Sequence, residues 1–180
     1  MNQIKNLSDE ILLDLQDNEW KMDYIDHDRY IARAIVVDEE GYFYFVRAVR
    51  DDDFGKATII ETAGGGVEKG ENTDEAIIRE LQEELGAVVD VVCKIGVVSD
   101  YYNLIHRHNI NNYYLCRAKS FTEKALTEDE IEKFHLSTIR LTYDEAVLEY
   151  EKCSVYKLGR LIKNRELPIL HKANEILCKL

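Results

Sequence analysis

The 180-residue chain holds a single proline, Pro168, and only 23 lysines and arginines against 35 aspartates and glutamates, a formal charge of −12 at pH 7. The shortage of positive charge argues against a partner whose many phosphates must be neutralised, which sets long nucleic acid aside. No apolar run approaches the ~18–20 residues that a membrane helix needs, and the opening Met1 to Asn6 lacks the apolar core of a signal peptide. The four cysteines, Cys93, Cys116, Cys153 and Cys178, are scattered without a Cys-X-X-Cys pair and read as reduced thiols. Internal repeats and low-complexity tracts are missing as well. These absences lead to the expectation of a cytoplasmic, membrane-free protein. With 46% apolar residues the chain is long enough for one well-buried core and short for two domains.

The most informative stretch is residues 65 to 87, in which glycines run into a helix carrying Arg79-Glu80-Leu81-Gln82-Glu83-Glu84. At about 100° per residue, Glu80, Glu83 and Glu84 fall in one sector and Ile77, Leu81 and Leu85 in the next. One face therefore offers carboxylates while its neighbour enters a core. Like charges at these spacings oppose the helix by a few tenths of a kcal/mol per pair, a cost that a divalent cation would offset. Gly64, Gly65 and Gly66 precede the helix and leave backbone groups uncovered, as a metal or phosphate site requires. Asn72 or Thr73 is the expected N-cap, and Gly86 the stop.

Around this stretch the pattern is α/β. Residues 8–16 fit either a short helix or an added strand. Residues 30–37 and 42–49 read as a hairpin about Asp38-Glu39-Glu40-Gly41, and 57–62 as a third strand. Strands are expected at 88–98 and 112–117 around a polar loop at 101–111. Thr142 to Glu145 is a capping box opening a helix to about 152, a further helix spans roughly 154–164, and Pro168 suits the first turn of a last one. There Leu170, Ala173, Leu177 and Leu180 form an apolar stripe for a core or for a homodimer.

Gly65, Glu71, Arg79, Glu80, Leu81, Glu83, Glu84, Gly86 and Ala87 stand in the register of the Nudix box, and on these residues the chain resembles the Nudix hydrolases. Ala87 is smaller than the aliphatic residue usual there. The resemblance implies an α/β/α sandwich with a mixed β-sheet, here with additional C-terminal helices: a single domain with its core at about 28–152, an N-terminal extension at 1–27 and a helical segment at 153–180. It also implies hydrolysis of a nucleoside diphosphate linked to another moiety, or release of pyrophosphate from a nucleoside triphosphate. A nucleotide-binding regulatory domain is the reading from another class.

A hard, oxygen-lined site favours Mg²⁺ or Mn²⁺. By the resemblance Glu80 and Glu84 are its first ligands, and the Gly65 carbonyl completes the set. Glu83 is either a third ligand or the base. Arg79 and Glu71 form an orienting pair, and Glu130, in the acidic run Glu128-Asp129-Glu130, is the other candidate base. The phrase Glu61-Thr62-Ala63-Gly64-Gly65 is similar to the lead-in of ADP-ribose and nucleotide-sugar pyrophosphatases, with Thr62 in place of a proline. Tyr101, Tyr102, His106 and Arg107 suggest a pocket that stacks a base and pairs a phosphate, with Gly64 and Gly66 at its floor. His106 and His108 alternate as a metal pair could but lack a third ligand at a recognisable spacing, and His27, His135 and His171 read as structural.

Overall fold

The apolar run before residue 38 builds the central strand of the sheet. In the computed structural model, which describes residues 9–180, β1 (Ile11–Asp14), β2 (His27–Val37), β3 (Phe43–Asp52), β4 (Gly55–Glu61) and β5 (Ala63–Gly66) precede helix α1 (Thr73–Leu85). Next come β6 (Ala87–Tyr102), β7 (Arg107–Phe121), α2 (Glu128–Glu132), β8 (Ser137–Leu141), α3 (Tyr143–Cys153) and α4 (Lys157–Leu177). The hairpin expected about residues 38–41 forms, its turn held by the Asp38 carboxylate, which accepts the N–H groups of Glu40 and Tyr42 at 2.9 Å.

All eight strands join one mixed sheet, ordered β1-β6-β7-β2-β3-β4, with β5 on β2 and β8 on β3. β1 is parallel to β6 and β2 to β7, while the remaining pairs are antiparallel. Strands β2 and β3 are paired only at Val36–Tyr44 and Val37–Phe43 before they part. β4 then follows β3, and β5 follows β2. The sheet splits at the junction Thr62, and this split opens the cleft described below.

Helix α1 covers one face through Ala76, Ile77, Leu81 and Leu85, packed with Ala32, Ala34, Val36 and Cys116. Helices α3 and α4 cover the other through Ala146, Tyr150, Leu158, Ile162, Ile169 and Leu170, packed with Ile35, Phe45, Ile59 and Leu115. This is the expected α/β/α arrangement. Burying a leucine or isoleucine side chain contributes roughly 1.5–3 kcal/mol, so the two clusters hold the layers together.

Several expectations change. Residues 11–14 choose the strand over the helix, because the exposed edge of β6 offers them hydrogen bonds; Ser8 lies outside the described residues. The glycines form strand β5 rather than an open loop, and the loop to α1 begins only at Val67. The polar loop at 101–111 shrinks to a 3-10 turn at Asn103–Ile105 and His106 in the left-handed region, because β6 and β7 pair from Ala87–Phe121 out to Tyr102–Arg107. Strand β8 was not expected, being short and half-buried at the sheet edge.

Pro168 lies inside α4, not at the start of a last helix. Its ring removes one N–H from the helix ladder. The buried residues on both sides of it, Leu161, Ile162, Arg165, Glu166, Ile169 and Leu170, hold the helix continuous across the gap. The apolar stripe faces inward: Leu170 and Ala173 are wholly buried and Leu177 packs on the same core, while Leu180 is exposed. Cys93, Cys116 and Cys153 are buried and unpaired, Cys178 is exposed, and no described helix is long and apolar enough to cross a membrane.

Helix α4 also carries Arg165 and Glu166, both fully buried, beneath the split. Glu166 accepts the Thr62 N–H (2.8 Å) and hydroxyl (2.7 Å) and the hydroxyls of Tyr113 (3.2 Å) and Tyr150 (2.8 Å). Arg165 donates to Asp100 (3.0 Å), Tyr102 (2.8 Å), Tyr113 (3.0 Å) and Glu166 (3.1 Å). Thus the strand entering the glycines is fixed from below by the C-terminal helix. A proline at 62 has no N–H to give, which accounts physically for the threonine there.

Candidate active site

Where the sheet splits, a cleft of about 330 Å³ is lined by Gly64, Gly65 and Gly66 of β5, Glu80 and Glu84 of α1, and Glu130 of α2. Arg29 and Arg33 of β2, Arg50 of β3, Glu61 of β4, Tyr102 and Arg107 border it, with Phe54, Ile105, Phe134 and Leu136 as apolar walls. Helix α1 starts as its sequence suggests: Asn72 caps the Glu75 N–H and Glu75 returns the bond, while Gly86 ends the helix at φ 65°. These caps fix the rotation of the helix, hence the direction of its glutamates.

Glu80 and Glu84 are each 8% exposed. The Gly64 N–H donates to Glu84 at 2.8 Å, and with φ at 144° a side chain at Gly64 would run into the Ala32 carbonyl. A Cβ at Gly65 would lie 2.6 Å from both Glu80 carboxylate oxygens, so the missing side chain is the space that the carboxylate occupies. Burial pushes Glu84 up to about 8, against the Gly64 N–H and with help from the Glu80 charge. Burial also raises Glu80, against its bond from Arg79.

Arg79 grips Glu71 with two bonds (2.8 and 2.9 Å) and reaches Glu80 (2.8 Å), Glu83 (3.1 Å) and the Gly66 carbonyl (3.1 Å). Its hydrogen bonds hold the Glu71 carboxyl down at about 2. Glu83 is engaged with Arg79 and does not line the cleft. Of the acidic run, Glu130 alone borders the cleft, while Asp129 pairs with Lys133 at 2.8 Å. Glu130 also serves as a helix cap, accepting the Thr127 N–H at 2.7 Å.

Tyr102 and Arg107 border the cleft; Tyr101 and His106 do not. Tyr101 stacks on His108 (4.6 Å between centroids) and His106 on Tyr24 (3.9 Å), because the continuous pairing of β6 and β7 turns these rings outward from the pocket that a loop would have formed. His108 is bound to Asp28 (2.9 Å) and Ser99 (2.8 Å). Arg29, Arg33 and Glu61 were missed as cleft residues. Arg29 and Arg33 flank Ile31 with period 2 just before the apolar run 34–37, a signal that was available in the sequence. Burial works to raise the Glu61 carboxyl, but Arg33 and Arg165 outweigh it and hold it low.

Among the described residues, no three Asp, Glu, His or Cys side chains converge as a ready-made metal cage. The donor set that does fit a hard cation is the pair Glu80 and Glu84, two buried carboxylates of which Glu80 alone has an arginine bonded to it; Mg²⁺ keeps several waters and needs only one or two carboxylates. This has a consequence for stability. Unfolded, Glu84 releases its proton near 4.5, and folded near 8. Between these values the folded state holds a proton that the unfolded state has lost, so stability falls as pH rises through the window, by at most roughly 5 kcal/mol. In EDTA the melting temperature is expected to drop from pH 5 to pH 8, with the slope flattened in Glu84→Gln and reversed at pH 8 by Mg²⁺. A slope equal in wild type and Glu84→Gln contradicts the assignment of Glu84.

Comparisons with known proteins bear on the family and the fold. Residues 27–156 match the family model described as NUDIX domain. A 58-residue segment is 36% identical to an 8-oxo-dGTP diphosphatase of Haemophilus influenzae, covering 32% of this chain and 41% of that relative's length. Among solved structures, a NUDIX hydrolase from Nitrosomonas europaea superposes with a TM-score of 0.60 at 14% identity over 83% of this chain and 87% of the other. A MutT NUDIX hydrolase from Burkholderia pseudomallei gives 0.50 at 19% identity over 66% and 86%. The family match spans most of the chain, from the central strand β2 to the end of α3, and the chain belongs to the Nudix family.

Proposed function

We propose that the protein is a Mg²⁺- or Mn²⁺-dependent pyrophosphohydrolase that cleaves the diphosphate linkage of a nucleoside diphosphate derivative, ADP-ribose-like or a nucleotide sugar. The observation that carries this reading is the pair of buried carboxylates Glu80 and Glu84 facing arginines across one cleft. A divalent ion held by Glu80 and Glu84, with the Gly65 carbonyl nearby, would offset phosphate charge and lower the pKa of a water. Glu130, on the cleft, takes the proton from the attacking water. Glu83, withdrawn onto Arg79, helps to orient Arg79, which with Glu71 holds Glu80 and the Gly66 carbonyl in place. The products are a nucleoside monophosphate and a second phosphorylated fragment.

A second reading, release of pyrophosphate from a nucleoside triphosphate, is favoured by the segment shared with the 8-oxo-dGTP diphosphatase. Product analysis separates the two. Purified protein with Mg²⁺ is offered ADP-ribose, nucleotide sugars, dinucleoside polyphosphates and nucleoside triphosphates. Paired monophosphates from a linked diphosphate support the first reading, and pyrophosphate from a triphosphate the second. Binding without turnover across the panel overturns both in favour of a regulatory domain.

A further inference from the structure

Arg33, Arg50, Arg79, Arg140, Arg160 and Arg165 each hold a carboxylate within 4 Å. Two arginines of the cleft, Arg29 and Arg107, have no carboxylate within that distance among the described residues. They stand on neighbouring parallel strands, where His27 is opposite Arg107 and Arg29 opposite Asn109, so they are diagonal neighbours on one face of the sheet. Diagonal neighbours on adjacent strands lie about 7–8 Å apart, within reach of long side chains. Burial first, then the Arg29 charge, pushes the Arg107 guanidinium down to about 10.

Local structure nevertheless holds the pair in place. Arg107 donates to Asn109 at 2.6 Å and lies over the Tyr102 ring at 5.3 Å. Asn109 is wholly buried, and its amide nitrogen has no partner among the described residues. Arg29 lies beside Gly66, its guanidinium 3.2–3.7 Å from where a Cβ would stand, so a side chain at 66 would crowd it. Two held cations without a paired carboxylate suit an anion that arrives from solution, and guanidinium groups match phosphate oxygens in pairs.

We propose that Arg29 and Arg107 form an anion clamp that binds a phosphate of the substrate independently of the metal. The proposal rests on the reading of the cleft as a pyrophosphohydrolase site, and its test is chosen to fail separately from that reading. The probe is inorganic pyrophosphate, titrated calorimetrically in EDTA. Wild-type protein is expected to bind it, more weakly as salt rises. Arg29→Ala, at a partly exposed side chain, and Arg107→Ala are each expected to weaken binding about 10-fold or more, the size of one lost charged hydrogen bond, while Arg107→Lys recovers part of the loss. With Mg²⁺ and a turned-over substrate, the same variants are expected to raise KM more than they lower kcat.

No pyrophosphate binding by wild type in EDTA, or unchanged affinity and KM in Arg29→Ala and Arg107→Ala, overturns the clamp even if Mg²⁺-dependent turnover is intact. Arginine-dependent pyrophosphate binding by a protein that turns nothing over upholds the clamp and removes the catalytic reading alone.

Discussion

Glu84→Gln is expected to fold as the wild type does and to lose Mg²⁺-dependent turnover by about 10³-fold or more, the scale on which a lost metal charge acts. The substitution is informative because it is nearly isosteric. Glutamine can still accept the Gly64 N–H that Glu84 accepts at 2.8 Å, so β5 keeps its tie to α1 while the buried charge disappears. Glu80→Gln is a less clean probe, since Glu80 also takes a bond from Arg79. Glu130→Gln should cost about 10²–10⁴-fold in kcat, as removal of a general base does, whereas Glu83→Gln, away from the cleft, should cost less. Steady-state kinetics over a Mg²⁺ series checks all of these. Unaltered turnover in Glu84→Gln would sink the metal assignment, and a larger loss in Glu83→Gln than in Glu130→Gln would exchange the roles of those two acids.

What could be read from the chain beforehand follows from the range of the interactions involved. Helix α1 was legible to within a residue at its start, where Asn72 and Thr73 were both open, and to its stop at Gly86, because caps act on backbone groups within a few residues of themselves. The capping box of Thr142 and Glu145 was legible for the same reason. The sector of Glu80 and Glu84 followed from helical geometry alone. The glycine strand was not legible: β5 owes its conformation to Ile31–Ala34 of β2, thirty residues away. Likewise Tyr101 and His106 seemed to belong to a loop, but cross-strand pairing with β7 fixes the first and the tight turn after β6 fixes the second. The largest omission, the arginines of β2, had a local signal in the spacing of Arg29 and Arg33. The signal acquired meaning only when the split between β2 and β3 placed that face in the cleft.

The most damaging substitution for stability is expected far from the box, at Glu166. Glu166→Ala would leave the Arg165 guanidinium without one of its two nearest carboxylates and strand the Thr62 N–H, the Thr62 hydroxyl and the Tyr150 hydroxyl in a dry interior. Breaking a buried pair by removing one partner costs about 3–5 kcal/mol, because the remaining charge stays desolvated. Urea denaturation should show a midpoint lowered accordingly, and a loss below about 1 kcal/mol would contradict the role given to this network. Thr62→Val removes only the hydroxyl bond and should cost about 1–2 kcal/mol. Thr62→Pro also removes the N–H bond and should cost more. A double-mutant cycle between positions 62 and 166 isolates the shared term. Thr62 lies two residues before Gly64, whose N–H meets Glu84, so this coupling measures how firmly the C-terminal helix sets the strand on which the cleft carboxylates rest.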